Sequence, residues 1–292
     1  MWFVLAVLSA LVFGAAGLFM KASQAAGGST RHLLFGLYAA GAVGFFVHSF
    51  FTPPESWYSW QLWLGGLIIG AGSAWGNLIW MRALDYGPAS LTSLFTNMNI
   101  VLVILLATFW YGESVNGFQW TGIALLLGAI ALVSLRPGEP LTIREKTWFA
   151  LIVFSIALFT FRNGGLKVTS ELELSNAAVL FIGYLLSLIW FGASIMRRGR
   201  LTVADIPDIS EQRSTALIGI RWGLLAGCCS YGGLQLYAMA LEIGPANIIA
   251  PIFAANSLVI ALGAIVFFRE TLTRLQIAAV LLLFIGLVLV RL

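Results

Sequence analysis

Arg162 is the side chain hardest to reconcile with its surroundings. It stands 14 residues after Trp148 in an apolar run, about 21 Å along a helix and so roughly two-thirds of the way through a 30 Å hydrocarbon core. A guanidinium at that depth has two readings. In one it faces an internal cavity, where its planar fork of donors suits a carboxylate or phosphate. In the other Gly164-Gly165 ends the helix just beyond it, and the side chain snorkels to headgroups or water.

The other candidates are neutral. Ser73, Asn77 and Trp80 fall at i, i+4 and i+7 on one helical face with Trp75 on the next face, and Tyr231 and Gln235 are again i, i+4. Aromatic planes with a few hydrogen-bonding groups are what small-molecule cavities present, and the same residues also suit interhelical bonding, packing or interface anchoring. Asn99 and Asn256 stand near mid-span, where they either contact a substrate or join helices. Glu113 and Glu270 precede helices opening near Asn116 and Thr273, so they read as caps or gating contacts and not as proton carriers, as do Asp85 and Glu242. Gly70 and Gly227 are either rocking points or close-packing positions, and Gly87-Pro88 and Gly244-Pro245 punctuate two turns as hinge candidates. His32 and His48 have no second ligand at metal spacing, and adjacent Cys228 and Cys229 read as packing residues, so neither metal nor cofactor is expected.

What must position these groups is a membrane bundle. The chain is 60% hydrophobic and 10% charged, against about 25% charged in soluble domains, and its charges fall between long apolar runs such as Ile100–Trp110 and Leu281–Leu289. Helical spans fit near 2–22, 32–51, 60–83, 89–110, 117–135, 147–166, 175–196, 217–241, 246–268 and 273–291. The connections are too short for a soluble domain. No cleavable leader is expected at Met1–Met20, and the net charge of +4 reads as topology and not as nucleic-acid binding.

The chain is also an internal duplication. Ala83-Leu84-Asp85-Tyr86-Gly87-Pro88-Ala89 and Ala240-Leu241-Glu242-Ile243-Gly244-Pro245-Ala246 are near copies, and an offset of 157 lays Gly66–Leu135 on Gly223–Leu292 without a gap, about 20 of 70 positions being identical. It pairs Gly70 with Gly227, Ser73 with Ser230, Asn99 with Asn256 and Glu113 with Glu270. An offset of 146 pairs Trp2 with Trp148, Ser9 with Ser155, Phe13 with Phe159 and Lys21 with Lys167, while Arg162 falls on Ala16. The expected fold is all-α, ten transmembrane helices in two five-helix repeats, 1–138 and 139–292. Five spans being odd, the second repeat must sit inverted, an arrangement typical of secondary transporters. Most Lys and Arg then share one face, which puts that face in the cytoplasm and both termini outside.

Ala83–Leu132 and Ala240–Leu289 each read as Ala-Leu, a small-residue turn, an apolar helix, Glu-Ser or Glu-Thr, Gln and a Gly-containing last helix. In this the chain resembles the drug/metabolite transporter superfamily, in particular its EamA-type ten-helix members. The resemblance implies a central cavity between halves, alternating access, and export of amino acids or other small metabolites across the inner membrane. It departs from the family in one respect, since the mid-helix proline of the fourth and ninth helices is replaced near Ile100 and Ser257, with Pro251 earlier in the ninth alone. The substrate-binding expectation is therefore Arg162, Trp75, Asn77, Trp80, Asn99, Tyr231, Gln235 and Asn256. The expected partners are a small-molecule substrate, the lipid bilayer, and protons or a counter-substrate. A lipid or lysophospholipid translocator of the same fold is the alternative. A membrane enzyme would need clustered acids, histidines or a metal, and the acids here are scattered singly.

Overall fold

The computed structural model describes residues 1–51, 54, 57–86, 92, 95–134, 146–201, 209–268 and 274–292. Its helices are α1 (Trp2–Ala25), α2 (Thr30–Phe51), α3 (Trp60–Tyr86), α4 (Asn99–Leu105, continued by a π-helical turn Leu106–Trp110), α5 (Gly117–Ser134), α6 (Thr147–Glu171), α7 (Asn176–Leu201), α8 (Ile209–Ile243), α9 (Ala246–Ala254), α10 (Asn256–Phe268) and α11 (Arg274–Arg291). No strand occurs among the described residues. Six helices contain stretches long and apolar enough to cross a membrane, Trp2–Ala25, Thr30–Phe51, Trp60–Ala83, Thr147–Glu171, Asn176–Arg197 and Ser214–Ile243, and four shorter apolar helical stretches accompany them.

The outside of the bundle is as apolar as its inside. On α2, Val43, Phe46, Val47 and Phe50 are exposed at i, i+3, i+4 and i+7, and on α11 so are Leu281, Phe284, Ile285 and Val288. An outward apolar stripe of that extent is a surface for lipid tails.

Inside, the two halves pack by exchanging surfaces. α1 and α2 both pack on α8, and α6 and α7 both pack on α3; α2 meets α7, α5 meets α11, and α1 meets α9 and α10 as α6 meets α4. Relabelling each helix by its repeat counterpart maps the first pair of packings onto the second. Small residues let these crossings close. A methyl group added at Gly70 of α3 would lie 2.6 Å from the Gly183 carbonyl oxygen, and one at the equivalent Gly227 of α8 would lie 2.4 Å from that of Leu37. Leu37 and Gly183 are themselves partners at offset 146, so the same close backbone approach is used twice.

The helical stretches around Asn99 and Asn256, expected as the fourth and ninth spans, break at one repeat position. Turns at 97–98 and at Ala255 precede Asn99 and Asn256, whose side-chain amides donate to the carbonyls of Thr96 at 2.6 Å and Phe253 at 2.7 Å. Each asparagine supplies a partner to a carbonyl freed by its break. Pro251, inside α9, removes one further donor in the ninth span alone, yet the break falls at the equivalent place in both.

One end of the molecule gathers the start of α1, where Trp2 packs on Gly244, with the ends of α6 and α8 and the start of α9, and Glu113 ties α6 to α9 there. Its carboxylate accepts from the backbone N–H groups of Ala246 at 3.0 Å and Asn247 at 2.9 Å and pairs with Lys167 at 3.0 Å. Glu113 therefore caps α9 of the other half and not α5, the helix it precedes. α5 has its own capping box, in which the Asn116 and Gln119 side chains accept from each other's backbone N–H.

Candidate functional site

Arg162 lies in an unbroken helix, because α6 runs through Gly164-Gly165 to Glu171. The early helix end that would let its side chain snorkel is absent. The residue is 8% exposed. Its Nε donates to Asn163 Oδ1 at 3.0 Å, and Asn163 Nδ2 in turn donates to Asn99 Oδ1 at 2.8 Å. The guanidinium carbon stands 4.7 Å from the Phe159 ring centroid and 5.6 Å from that of Phe13. Those two phenylalanines are repeat partners, and each is held against a glycine of the facing half, Phe159 on Gly76 and Phe13 on Gly233.

A second symmetric pair surrounds the same charge. Tyr38 and Tyr184, again 146 residues apart, lie within electrostatic reach of Arg162 together with Tyr237. Their rings meet edge to face at 5.1 Å. Each hydroxyl is bonded to a repeat-equivalent serine, Tyr38 to Ser73 at 2.9 Å and Tyr184 to Ser230 at 2.6 Å, and Asn77 Nδ2 donates to the Tyr38 hydroxyl at 3.1 Å. One unduplicated cation thus occupies the position where duplicated aromatics converge.

The charge has little to balance it. Among the described residues Arg162 forms no ion pair, while the basic residue nearest in sequence on α6, Lys167, is bonded to both Glu113 and Glu171. A hydrogen bond from a charged group contributes about 1.5–3 kcal/mol and a desolvated cation–π contact about 2 kcal/mol. Removing a cation from water costs several kcal/mol, a cost that these contacts offset in part and that an anion beside the guanidinium would offset further.

Tyr231 and Gln235 belong to a different place, at the end of the molecule where α2 and α6 finish. Gln235 Nε2 donates to His48 Nε2 at 3.3 Å, and the other His48 nitrogen meets the Tyr231 hydroxyl at 3.2 Å. Gln235 and His48 line a cavity of about 380 Å³ with Ser170, Glu173, Asn176 and Glu242.

The remaining sequence candidates scatter. Trp75 is 43% exposed and stacks edge to face on Trp190 at the outer surface, apart from Arg162. Trp80 is partly buried. Asn256 serves the helix break, whereas Asn99 serves its break and the Asn163 relay together. Gly70 and Gly227 sit at the two tight crossings, Gly244 lies under Trp2, and Pro245 is the N-cap residue of α9. Gly87 and Pro88 lie outside the described residues. The sequence reading missed Asn163, Tyr38, Tyr184 and Tyr237. Extending the offset of 146 past Lys21 and Lys167 would have paired Tyr38 with Tyr184, whereas Asn163 carries no such signal.

Comparison with known proteins agrees with this architecture. The family described as EamA-like transporter family matches residues 1–135. Three curated relatives carry one name, probable 4-amino-4-deoxy-L-arabinose-phosphoundecaprenol flippase subunit ArnE. That of Hamiltonella defensa is 35% identical over 91 residues, 28% of this chain and 79% of its own length. That of Pseudomonas fluorescens is 32% identical over 79 residues, 27% of this chain and 66% of its own. That of Proteus mirabilis is 36% identical over 61 residues, 21% of this chain and 54% of its own. The match thus spans slightly under two thirds of the Pseudomonas protein and about half of the Proteus one. A solved crystal structure superposes with a TM-score of 0.72 over 99% of this chain and 95% of that one at 14% identity, a likeness of fold.

Proposed function

The chain belongs to the EamA-like transporter family, and we propose that it is a secondary transporter moving a small organic substrate that bears a carboxylate or phosphate, held by Arg162 in alternating access. The observation that carries this reading is the buried guanidinium, without a counter-ion among the described residues, between repeat-equivalent aromatics. A protein that merely had to fold would gain by placing an apolar residue there, as the first half does with Ala16.

The proposed frame is ten spans in two inverted halves, 1–138 and 139–292. Its support is that α1 begins at the end of the molecule where its counterpart α6 finishes, and that the packings of α1 and α2 on α8 and of α6 and α7 on α3 correspond when the halves are exchanged. Such halves rock about their shared crossings, and Gly70 and Gly227 are the pivots in this reading. The Glu113 contacts to Lys167 and to the start of α9 close one end. With the Lys- and Arg-rich face in the cytoplasm, that end is the outer one and the direction is export across the inner membrane.

A second reading follows from the relatives' name, which specifies a flippase subunit for a phosphoundecaprenol-linked amino sugar. A lipid-linked phosphate would use the same guanidinium, so the two readings share their anion and differ in whether a lipid tail follows it. Uptake by purified protein in liposomes against a panel of amino acids, organic cations and anionic metabolites, with and without a pH gradient, tests the first. A fluorescent lipid-phosphate translocation assay on the same liposomes tests the second. Transport of no anion of either kind would sink both.

A further inference from the structure

We propose that the cavity at the outer end of α2, α6 and α8 is a binding site for a primary ammonium group, separate from Arg162. Its chemistry is acceptor-rich and negative. Of the residues lining it, Glu173 and Glu242 carry carboxylates, His48 is the one further titratable group, and none is a lysine or arginine. Lys167, one turn from Ser170 on α6, is committed to Glu113 and Glu171.

Two features separate this cavity from an ordinary acidic rim. Gln235 is 8% exposed, and its Oε1 is buried without a hydrogen-bond partner among the described residues. The amide nitrogen is engaged by His48, so the oxygen is a desolvated acceptor awaiting a donor, a state that costs about 1–3 kcal/mol. Glu242 is also held in place, since Thr169 donates to Asn176 Oδ1 at 3.1 Å and Asn176 Nδ2 donates to Glu242 Oε1 at 2.9 Å. An ammonium brings three donors and a positive charge. One donor satisfies Gln235, and the others face the carboxylates of Glu242 and Glu173.

The backbone at Glu173 fits this reading. The chain leaves α6 with Glu173 at φ 55, while the equivalent residue after α1 is Gly27 at φ 74. Both turns need the left-handed conformation, which glycine adopts freely and other residues adopt at a cost of about 1–2 kcal/mol. One half uses glycine, and the half that owns the cavity carries a carboxylate there instead. The polar lining is likewise one-sided, because the residue 157 positions before Gln235 is Leu78.

The ammonium can belong to a soluble amine or to an aminated lipid headgroup, and one experiment separates the sources. The full chain is placed in nanodiscs of phosphatidylglycerol, and binding of radiolabelled ethanolamine is measured by scintillation proximity, with choline as the competitor that cannot donate. The expected result is saturable binding, weakened at least tenfold by Gln235→Leu and by Glu242→Gln, retained or tightened by Gln235→Glu, and resistant to choline. If phosphatidylethanolamine in the disc competes, the headgroup is the source; if it does not, the source is a soluble amine. Absence of saturable binding together with no competing effect of phosphatidylethanolamine on thermal unfolding overturns the proposal. So does binding indifferent to Gln235→Leu and Glu242→Gln in variants that elute as folded protein. The outcome is independent of the Arg162 reading, since anion transport lost in Arg162→Ala while ethanolamine binding is absent leaves the transport function standing and removes only this site.

Discussion

At the scale of single residues, the molecule stores unfavourable chemistry in two places, and in each the cost points to a ligand. Arg162 is a buried cation whose one side-chain hydrogen bond among the described residues goes to Asn163. Replacing it by methionine, of similar length and no charge, is expected to raise the thermal unfolding midpoint in detergent while reducing anion transport at least tenfold; a lower midpoint would mean that the charge is structural. Arg162→Lys keeps the charge but loses the bidentate fork, so it is expected to retain transport with a raised KM. Glu173 stores its cost in the backbone. Glu173→Gly is expected to stabilise the protein by about 1 kcal/mol in a denaturation titration, because glycine needs no strain at that φ. An unchanged or lowered stability would show that the carboxylate has a structural partner worth more than the strain.

At the scale of elements, the telling contacts are those that one half makes to the other. Glu113 joins the end of α4 to the start of α9 and to Lys167 of α6. Glu113→Gln keeps the size of the cap and removes its charge, and is expected to cost about 1–3 kcal/mol, measured as a shift in unfolding midpoint, and to raise the population open at that end, measured by cysteine labelling of a residue placed beneath it. The glycine crossings predict a steeper effect. A leucine at Gly227 or Gly70 must displace backbone and not a flexible side chain, so either variant is expected to lose transport and to unfold earlier, by about 1–3 kcal/mol. Equal stability and activity would mean that the helices separate without consequence.

Much of this level was legible beforehand. Apolar run lengths placed the ends of most helices within a few residues, and the Gly-Pro turn copies exposed the duplication. Other features were not legible for physical reasons. Glu113 precedes α5 in sequence, and only folding brings the start of α9 closer. Gly164-Gly165 looked like a helix end, but Gly165 packs against Ile69 of α3, and tertiary packing overrode the local preference. Trp75 shares α3 with Asn77, yet one turns out to Trp190 and the other in to Tyr38, a distinction that needs the position of α7.

At the scale of the whole molecule, the proposed arrangement is of two halves related by exchange that meet around one unduplicated cation. The repeat explains why aromatic and serine partners come in pairs, and three of the many departures from it, Arg162 for Ala16, Gln235 for Leu78 and Glu173 for Gly27, fall at the two proposed sites. The inverted arrangement is expected to leave the C-terminus on the same side as the N-terminus, away from the Lys- and Arg-rich loops. Impermeant labelling, in intact cells, of single cysteines at the two termini and between residues 202 and 208 checks this, and labelling of the latter alone would reverse the orientation.

The most direct test of the central claim compares an anion with its neutral twin. Initial uptake into liposomes is measured for each transported acid and for its uncharged counterpart, the carboxamide of a carboxylate or the triester of a phosphate, with the native chain and with Arg162→Ala shown to be folded by size-exclusion elution. The expected result is at least a tenfold preference for the anion in the native protein that collapses to near parity in the variant. An Arg162→Ala protein that carries the acid at the native rate, with the same preference over its neutral twin, would contradict the account.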